Sequence, residues 1–202
     1  MVDPKSGAVQ RIITLQYNPE TLTRTLAPQT LAAEGERSEP MRLKGPPVET
    51  YKMDAEIDAA DQLEFPDQNR TTAEYGVAPQ LAVLESLLYP TSQQLIHNNS
   101  LASSGTLEII PMEAPLTLFV WSKNRVLPVR ITEFSVTEEA FDPNLNPLRA
   151  KVSLGLRVLS VTDLGFDHLG GNLALKYHQQ LERLASLVRS GSFGELGIQG
   201  IG

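Results

Sequence analysis

Alternation of apolar and polar positions is the strongest signal along this chain. In Tyr51–Asp58 every odd position (Tyr51, Met53, Ala55, Ile57) is apolar and every even one (Lys52, Asp54, Glu56, Asp58) is charged, the mark of a strand wetted on one face. The alternation returns in Leu148–Val158. There Leu148, Ala150, Val152, Leu154, Leu156 and Val158 face one way, and Arg149, Lys151, Ser153, Gly155 and Arg157 the other. A strand of that length spans roughly 36 Å, so a large sheet or a barrel wall with one wet face is expected. Further strands are expected at Gln10–Tyr17, Leu107–Ile110, Leu116–Trp121 and Arg125–Val136. Ser122–Asn124 joins the last two tightly, with Asn124 suited to positive φ. Pro128 demands an edge position or a bulge, and the apolar phase shifts between Ile131 and Phe134, which also fits a bulge.

Helical spacing appears twice. Val77, Leu81, Leu84 and Leu88 lie on one helical face, with Pro79 in the first turn and Pro90 ending the run. Leu173, Tyr177, Leu181, Leu184 and Val188 make an apolar stripe over Asn172–Arg189, started by Gly170-Gly171-Asn172 and ended by Gly191. Ala27–Pro47, Ala59–Ala73 and Thr91–Gly105 read as long loops. The Gly-rich tail Gly191–Gly202 spaces out Phe193, Leu196, Ile198 and Ile201, and is expected to be disordered or to order against a neighbour. The expected organisation is a β domain over 1–161, a helical extension over 162–190 and a flexible tail over 191–202, mainly β with peripheral α-helices.

Composition narrows the function classes. A net charge of −7 and 6% aromatic residues argue against a nucleic-acid partner, which needs a basic surface or stacking platforms. No apolar run is long enough for a membrane helix, and the opening Met1–Gln10 is polar, so cytoplasmic synthesis without a signal peptide and without direct membrane insertion is expected. The absence of cysteine excludes disulfides and thiolate chemistry. The three histidines, His97, His168 and His178, share no metal-binding spacing, and neither a nucleophile elbow nor a phosphate loop occurs. The acidic set Asp54, Glu56, Asp58, Asp61, Glu64 and Asp67 has the density for Ca²⁺ or for acid–base work in a metal-dependent hydrolase. It lacks the EF-hand pattern, however, and begins on a strand's wet face, so a solvated or interface patch is favoured. No catalytic, cofactor-binding or metal-ligating residue is expected, and the chain is read as a non-enzyme without cofactors.

Three features point to docking. Tyr17-Asn18-Pro19-Glu20 is a turn signal after an expected strand. Trp121, the single tryptophan, sits at a strand end and suits core packing or an oligomer contact. Phe141-Asp142-Pro143-Asn144-Leu145-Asn146-Pro147 holds two prolines and two asparagines between long strands, giving a stiff loop of specified shape. A rigid loop on a barrel rim is a natural docking edge.

Five ordered blocks carry a family resemblance: Leu15–Leu22; Gly45–Thr50; Gly76–Leu81; Pro115–Trp121 with Val126–Arg130; and Glu138–Pro143 with Leu145–Ala150. Together they resemble the tube-protein family of contractile injection systems, related to phage tails, and within it the tube-initiator and baseplate-adapter members. The resemblance implies a tail-tube-like β-barrel or sandwich whose protomers close into a hexameric ring with a continuous lumen barrel. It implies a structural role in a phage-tail-like particle, cytoplasmic or released, linking the spike and baseplate to the polymerising tube. The implied partners are further copies of the chain, the inner-tube protein, the spike hub protein and baseplate proteins. Such relatives often carry a C-terminal LysM module; the segment after Val161 is too short and wrongly patterned for one, so peptidoglycan binding is not implied.

The assembly interface expected on these grounds comprises Tyr17, Asn18, Pro19, Trp121, Arg125, Phe141, Asp142, Pro143, Leu145, Asn146, Pro147, Arg149 and Lys151. Arg149, Lys151 and Arg157 are expected to meet the acidic face of Lys52–Asp58 across neighbouring protomers. The alternative is a small non-enzymatic binding module of a tail or baseplate with a peptide or glycan groove. The scattered Tyr51, Tyr75, Tyr89, Trp121 and Tyr177 do not obviously line such a groove.

Overall fold

Both alternating runs become central strands of one antiparallel sheet. The computed structural model describes residues 1–30, 42–103, 115–188, 191, 192, 194, 195, 197 and 199. The strands are β1 (Thr23–Ala27), β2 (Val48–Asp58), β3 (Thr117–Ser122), β4 (Arg125–Phe141) and β5 (Pro147–Val158), arranged in the order β1-β2-β5-β4-β3. The sheet curls into a half-barrel. It is neither a closed barrel nor a sandwich, because no second sheet faces it among the described residues.

Its apolar side makes the core. Tyr51, Met53 and Ile57 of β2, Leu127 and Val129 of β4, and Ala150, Val152, Leu154 and Leu156 of β5 are buried there, as the alternation predicts. Helix α3 (Ala78–Glu85) covers them with Leu81 and Leu84, and Val77 joins the cluster just before it. Pro79 sits in the first turn of that helix as expected.

The phase shift in β4 is a bulge at Thr132. Pairing with β5 steps from Ile131↔Leu156 to Glu133↔Gly155, so apolar residues stay inward on both sides of the extra residue. Gly155 is required there: a Cβ would stand 2.7 Å from the Cβ of Glu133. Pro128 is not the bulge. It is buried in an interior strand, at the end of the β4–β5 ladder, where its carbonyl accepts from Leu159 N–H at 2.9 Å. The missing N–H is tolerated because β5 ends at Val158.

Several expectations are corrected. Gln10–Tyr17 forms no strand; its alternation reflects half-burial of Ile13 and Leu15 against the core without a partner strand. The loop expected over Ala59–Ala73 contains α1 (Ala60–Leu63) and the start of α2 (Arg70–Tyr75); Thr91–Gly105 contains α4 (Ser92–Ser103); Ala27–Pro47 is preceded by β1. Asn124 does not take positive φ; among the described residues other than glycine, Ala140 (53°) and Leu145 (64°) do. The last helix, α6 (Leu169–Ser186), begins before the glycines because the His168 ring caps it, accepting Gly170 N–H at 3.0 Å, and it ends before Gly191. It follows α5 (Val161–Leu164), opened by a capping box of Ser160 and Asp163, and packs on β4. The expected strand Leu107–Ile110 and the tail residues Phe193, Leu196, Ile198 and Ile201 lie outside the described residues. No described helix is long and apolar enough to cross a membrane.

Candidate functional site

β2 and β4 both run antiparallel to β5, which places the Asp58 end of β2 and the Phe141 end of β4 on one rim of the half-barrel. The loop Phe141–Pro147 crowns that rim. Its keystone is Asp142: one carboxylate oxygen accepts the backbone N–H of Asn144 at 2.7 Å and of Asn146 at 2.8 Å, and the other accepts the Asn146 amide at 2.8 Å. These bonds, led by the Asn146 side chain, hold the Asp142 carboxyl below the ordinary aspartate value of 3.8. The loop is also tied sideways. Asn146 donates to Glu74 O at 3.0 Å, and Val77 N–H donates to Pro147 O at 2.8 Å.

Held this way, the loop keeps two non-glycine residues, Ala140 and Leu145, in the left-handed region. Each costs of order 1 kcal/mol and persists only where its surroundings over-determine it. Leu145 spends that cost on solvent: it is 78% exposed, and Phe141 beside it is 50% exposed. Two apolar side chains on a strained, hydrogen-bonded rim form a preshaped contact. Because the folded pKa of Asp142 is depressed, the bonds it accepts are fully present above pH 3.8 and are lost as the pH falls through the folded value. Amide exchange should therefore show Asn144 and Asn146 losing protection on acidification before the sheet does. Asp142→Asn should abolish this pH dependence; identical loop protection at low and neutral pH in the wild type would refute the keystone role.

The wet face carries the charges, and most of those on β2 and β5 are already paired inside the chain. Asp58 lies opposite Arg149 and Glu56 opposite Lys151. Arg149 Nε meets Asp58 at 2.8 Å and Glu56 at 3.7 Å, Lys151 reaches Glu139 on β4 at 3.1 Å, and Lys52 spans Gly155 to reach Glu133 at 2.7 Å. Arg157 pairs with Asp163 of α5 at 2.8 Å. The expectation that these charges meet across protomers is thus corrected: β2 and β5 put them on the same face of one sheet. The Asp58 carboxyl is held low, first by Ala60 N–H and then by Arg149. Being exposed, such ladders set register more than they stabilise.

Of the expected site residues, the rim gathers Tyr17, Phe141, Asp142, Pro143, Leu145, Asn146, Pro147, Arg149 and Lys151. Tyr17 reaches it because neighbouring Gln16 binds Asp58: the Gln16 amide donates to Asp58 O and accepts Asp58 N–H, both at 2.9 Å. Gln16 also donates to the Tyr17 hydroxyl at 3.1 Å, with exposed Asn18 and half-buried Pro19 following. Trp121 and Arg125 are at the opposite end, flanking the β3–β4 turn. Trp121 stacks on Phe119 at 5.9 Å, and the Arg125 guanidinium lies 5.8 Å from the Tyr51 ring centroid. Phe119 in turn meets Tyr51 at 5.6 Å, while Trp121 keeps 38% of its surface exposed.

One cluster escaped the sequence reading. Glu49, 8% exposed, accepts Arg24 Nε at 2.6 Å and the Tyr51 hydroxyl at 2.7 Å, with the Tyr177 hydroxyl of α6 at 3.4 Å. Burial first, and then these hydroxyl and carboxylate neighbours, push the Tyr51 phenol far up, so it stays a neutral donor. The signal was available: Glu49 falls in phase with Tyr51, Met53 and Ile57. Elsewhere, Met1, Asp3, Lys5, Ser86, Tyr89 and Gln94 line a cleft of about 580 Å³. Among the described residues no three His, Cys, Asp or Glu side chains gather to hold a metal. Compared with known proteins, the chain matches no family model and no curated sequence.

Proposed function

We propose that this chain is a structural, non-enzymatic ring subunit of a phage-tail-like contractile injection machine, set where the spike and baseplate meet the polymerising tube. The observation that carries this reading is the incompleteness of the sheet. Ala59 N–H donates to Leu148 O, so odd-numbered backbone groups of β2 face β5 and even-numbered ones face outward. Val48, Thr50 and Lys52 meet β1 there, but β1 reaches no further than Lys52. On the other side, β3 accompanies β4 only as far as Val129, and no described strand partners the length from there to Phe141. A half-barrel with a wet, self-neutralised face, two outer edges that no described strand covers and a preshaped apolar rim is a surface built for completion by other subunits. The ordered family-like blocks supply the particular machine, and the inner-tube, spike hub and baseplate proteins as neighbours.

Co-expression with those proteins, followed by capture and electron microscopy, tests the proposal. Rings or co-purifying tail proteins are expected; a monomer that captures none of them would overturn it. A sharper variant is Leu145→Gly. It relieves the left-handed strain and should raise stability by up to about 1 kcal/mol, while removing a large apolar side chain that is 78% exposed on the rim and lowering assembly at least severalfold. Unchanged assembly would show that the rim loop is only a connector.

A further inference from the structure

The β2 edge beyond Lys52 carries no paired strand among the described residues, but it is flanked by this chain's own Tyr17–Leu22, which bridges from Gln16 at Asp58 to Thr23 at Lys52. No described residue bonds the outward N–H and C=O of Asp54 or Glu56. At the next rung Gln16 lies against Asp58. Its side-chain amide is chemically a backbone amide, with one carbonyl and one N–H used, and it forms both bonds that a paired strand residue would form, each at 2.9 Å. The rest of its segment makes no strand. Gln16 thus completes one rung of a ladder that no described residue continues.

We propose that Gln16 anchors a built-in cap on this edge, pinning the segment Gln16–Leu22 where a strand of a second copy would pair, so that the isolated chain is restrained from joining others until the segment is displaced. This rests on reading the β2 edge as a subunit junction. The fitting occupant is the outer edge of β4 beyond the bulge. After Thr132 the residues of β4 that hydrogen-bond β5 are the odd ones, so Phe134, Val136 and Glu138 present their backbone groups outward. Phe134 and Val136 also turn their side chains to the apolar side, where they would continue the surface of Met53, Ala55 and Ile57. Asp54 and Glu56 would face the uncharged Ser135 and Thr137 of β4, Lys52 would face Glu133, and Glu139 would approach Asp58, whose charge Arg149 already offsets. Exposed edges are blunted in native proteins by devices of this kind, because an unguarded one pairs without control.

Sedimentation velocity across a concentration series tests the cap on the wild type, on Gln16→Ala, and on Gln16→Ala combined with Glu56→Pro. The Glu56 N–H points away from β5, so proline there deletes an outward donor and leaves the internal ladder intact. The concentration for half-association should fall about tenfold in Gln16→Ala, the effect of about 1.4 kcal/mol, and adding Glu56→Pro should reverse it. Gln16→Ala associating no more readily than the wild type overturns the cap. Association that survives Glu56→Pro overturns it as well, since it then runs through another surface. Should Gln16→Ala not fold, Gln16→Glu keeps the acceptor for Asp58 N–H and loses the donor; a smaller shift in the same direction is expected, and no shift refutes the proposal. Edge-dependent association without capture of any tail protein would sink the ring role and leave the cap standing. Capture of tail proteins with no effect of Gln16 would do the reverse.

Discussion

Gly76→Ala should cost this protein about 3 kcal/mol or more, enough to remove much of the stability of an ordinary domain. Gly76 ends α2 at φ 59° and ψ −135°, a conformation that side-chain-bearing residues scarcely enter. Space is lacking as well as freedom: a Cβ would stand 2.1 Å from the carbonyl oxygen of Pro147. That oxygen already accepts Val77 N–H, so it cannot withdraw without breaking the link between the helices and the rim loop. Denaturant unfolding measures the loss. The rim should suffer with the fold, through loss of the Asn146 bond to Glu74. A drop below about 1 kcal/mol would mean that this junction yields, and that the rim loop is less rigid than its bonds imply.

Arg24→Met should cost about 2–3 kcal/mol, because it strands the Glu49 carboxylate in a nearly closed site with only phenol hydroxyls as donors. The methionine keeps most of the stem's packing, which isolates the electrostatic loss. Adding Glu49→Gln to the same chain should recover at least half of it, since a neutral amide no longer requires a cation. Such non-additivity is the signature of one network. Arg24 also lies over the Tyr177 ring at 6.0 Å, so the single variant should loosen α6, read as faster amide exchange around Tyr177. Equal costs for the single and double variants would assign Arg24 a packing role alone.

What the sequence disclosed follows from which forces leave a periodic trace. β2 and β5 were legible because one face is buried and the other is wet, and that contrast is written residue by residue. The bulge was legible for the same reason: Ile131 and Phe134 cannot both face inward unless one residue is skipped. Gln10–Tyr17 alternates without forming a strand. Alternation reports half-burial, and here Ile13 and Leu15 are half-buried while a side chain, rather than a neighbouring strand, takes the polar bonds. The short helices α1 and α2 left little trace, because the only buried residue in either is Thr72. At the rim, the stiffness of Phe141–Pro147 could be read from its prolines and asparagines. The left-handed turn at Leu145 could not, because it depends on Asp142 gathering three donors. Opposite charges on two strands announced that they attract, but only the Asp58↔Arg149 register decides that they meet within one chain.

The odd count of strands between the two open edges has a further consequence. β2 and β4 point the same way, because each is antiparallel to the single strand between them. If the β4 edge of one copy meets the β2 edge of the next around a rotation axis, the new seam is parallel and every chain stands the same way up. All rim loops then gather on one side of the disc, and all Trp121 turns on the other. A disc with two unlike sides can accept one neighbour above and a different one below, so a stack that starts on it has a built-in direction of growth.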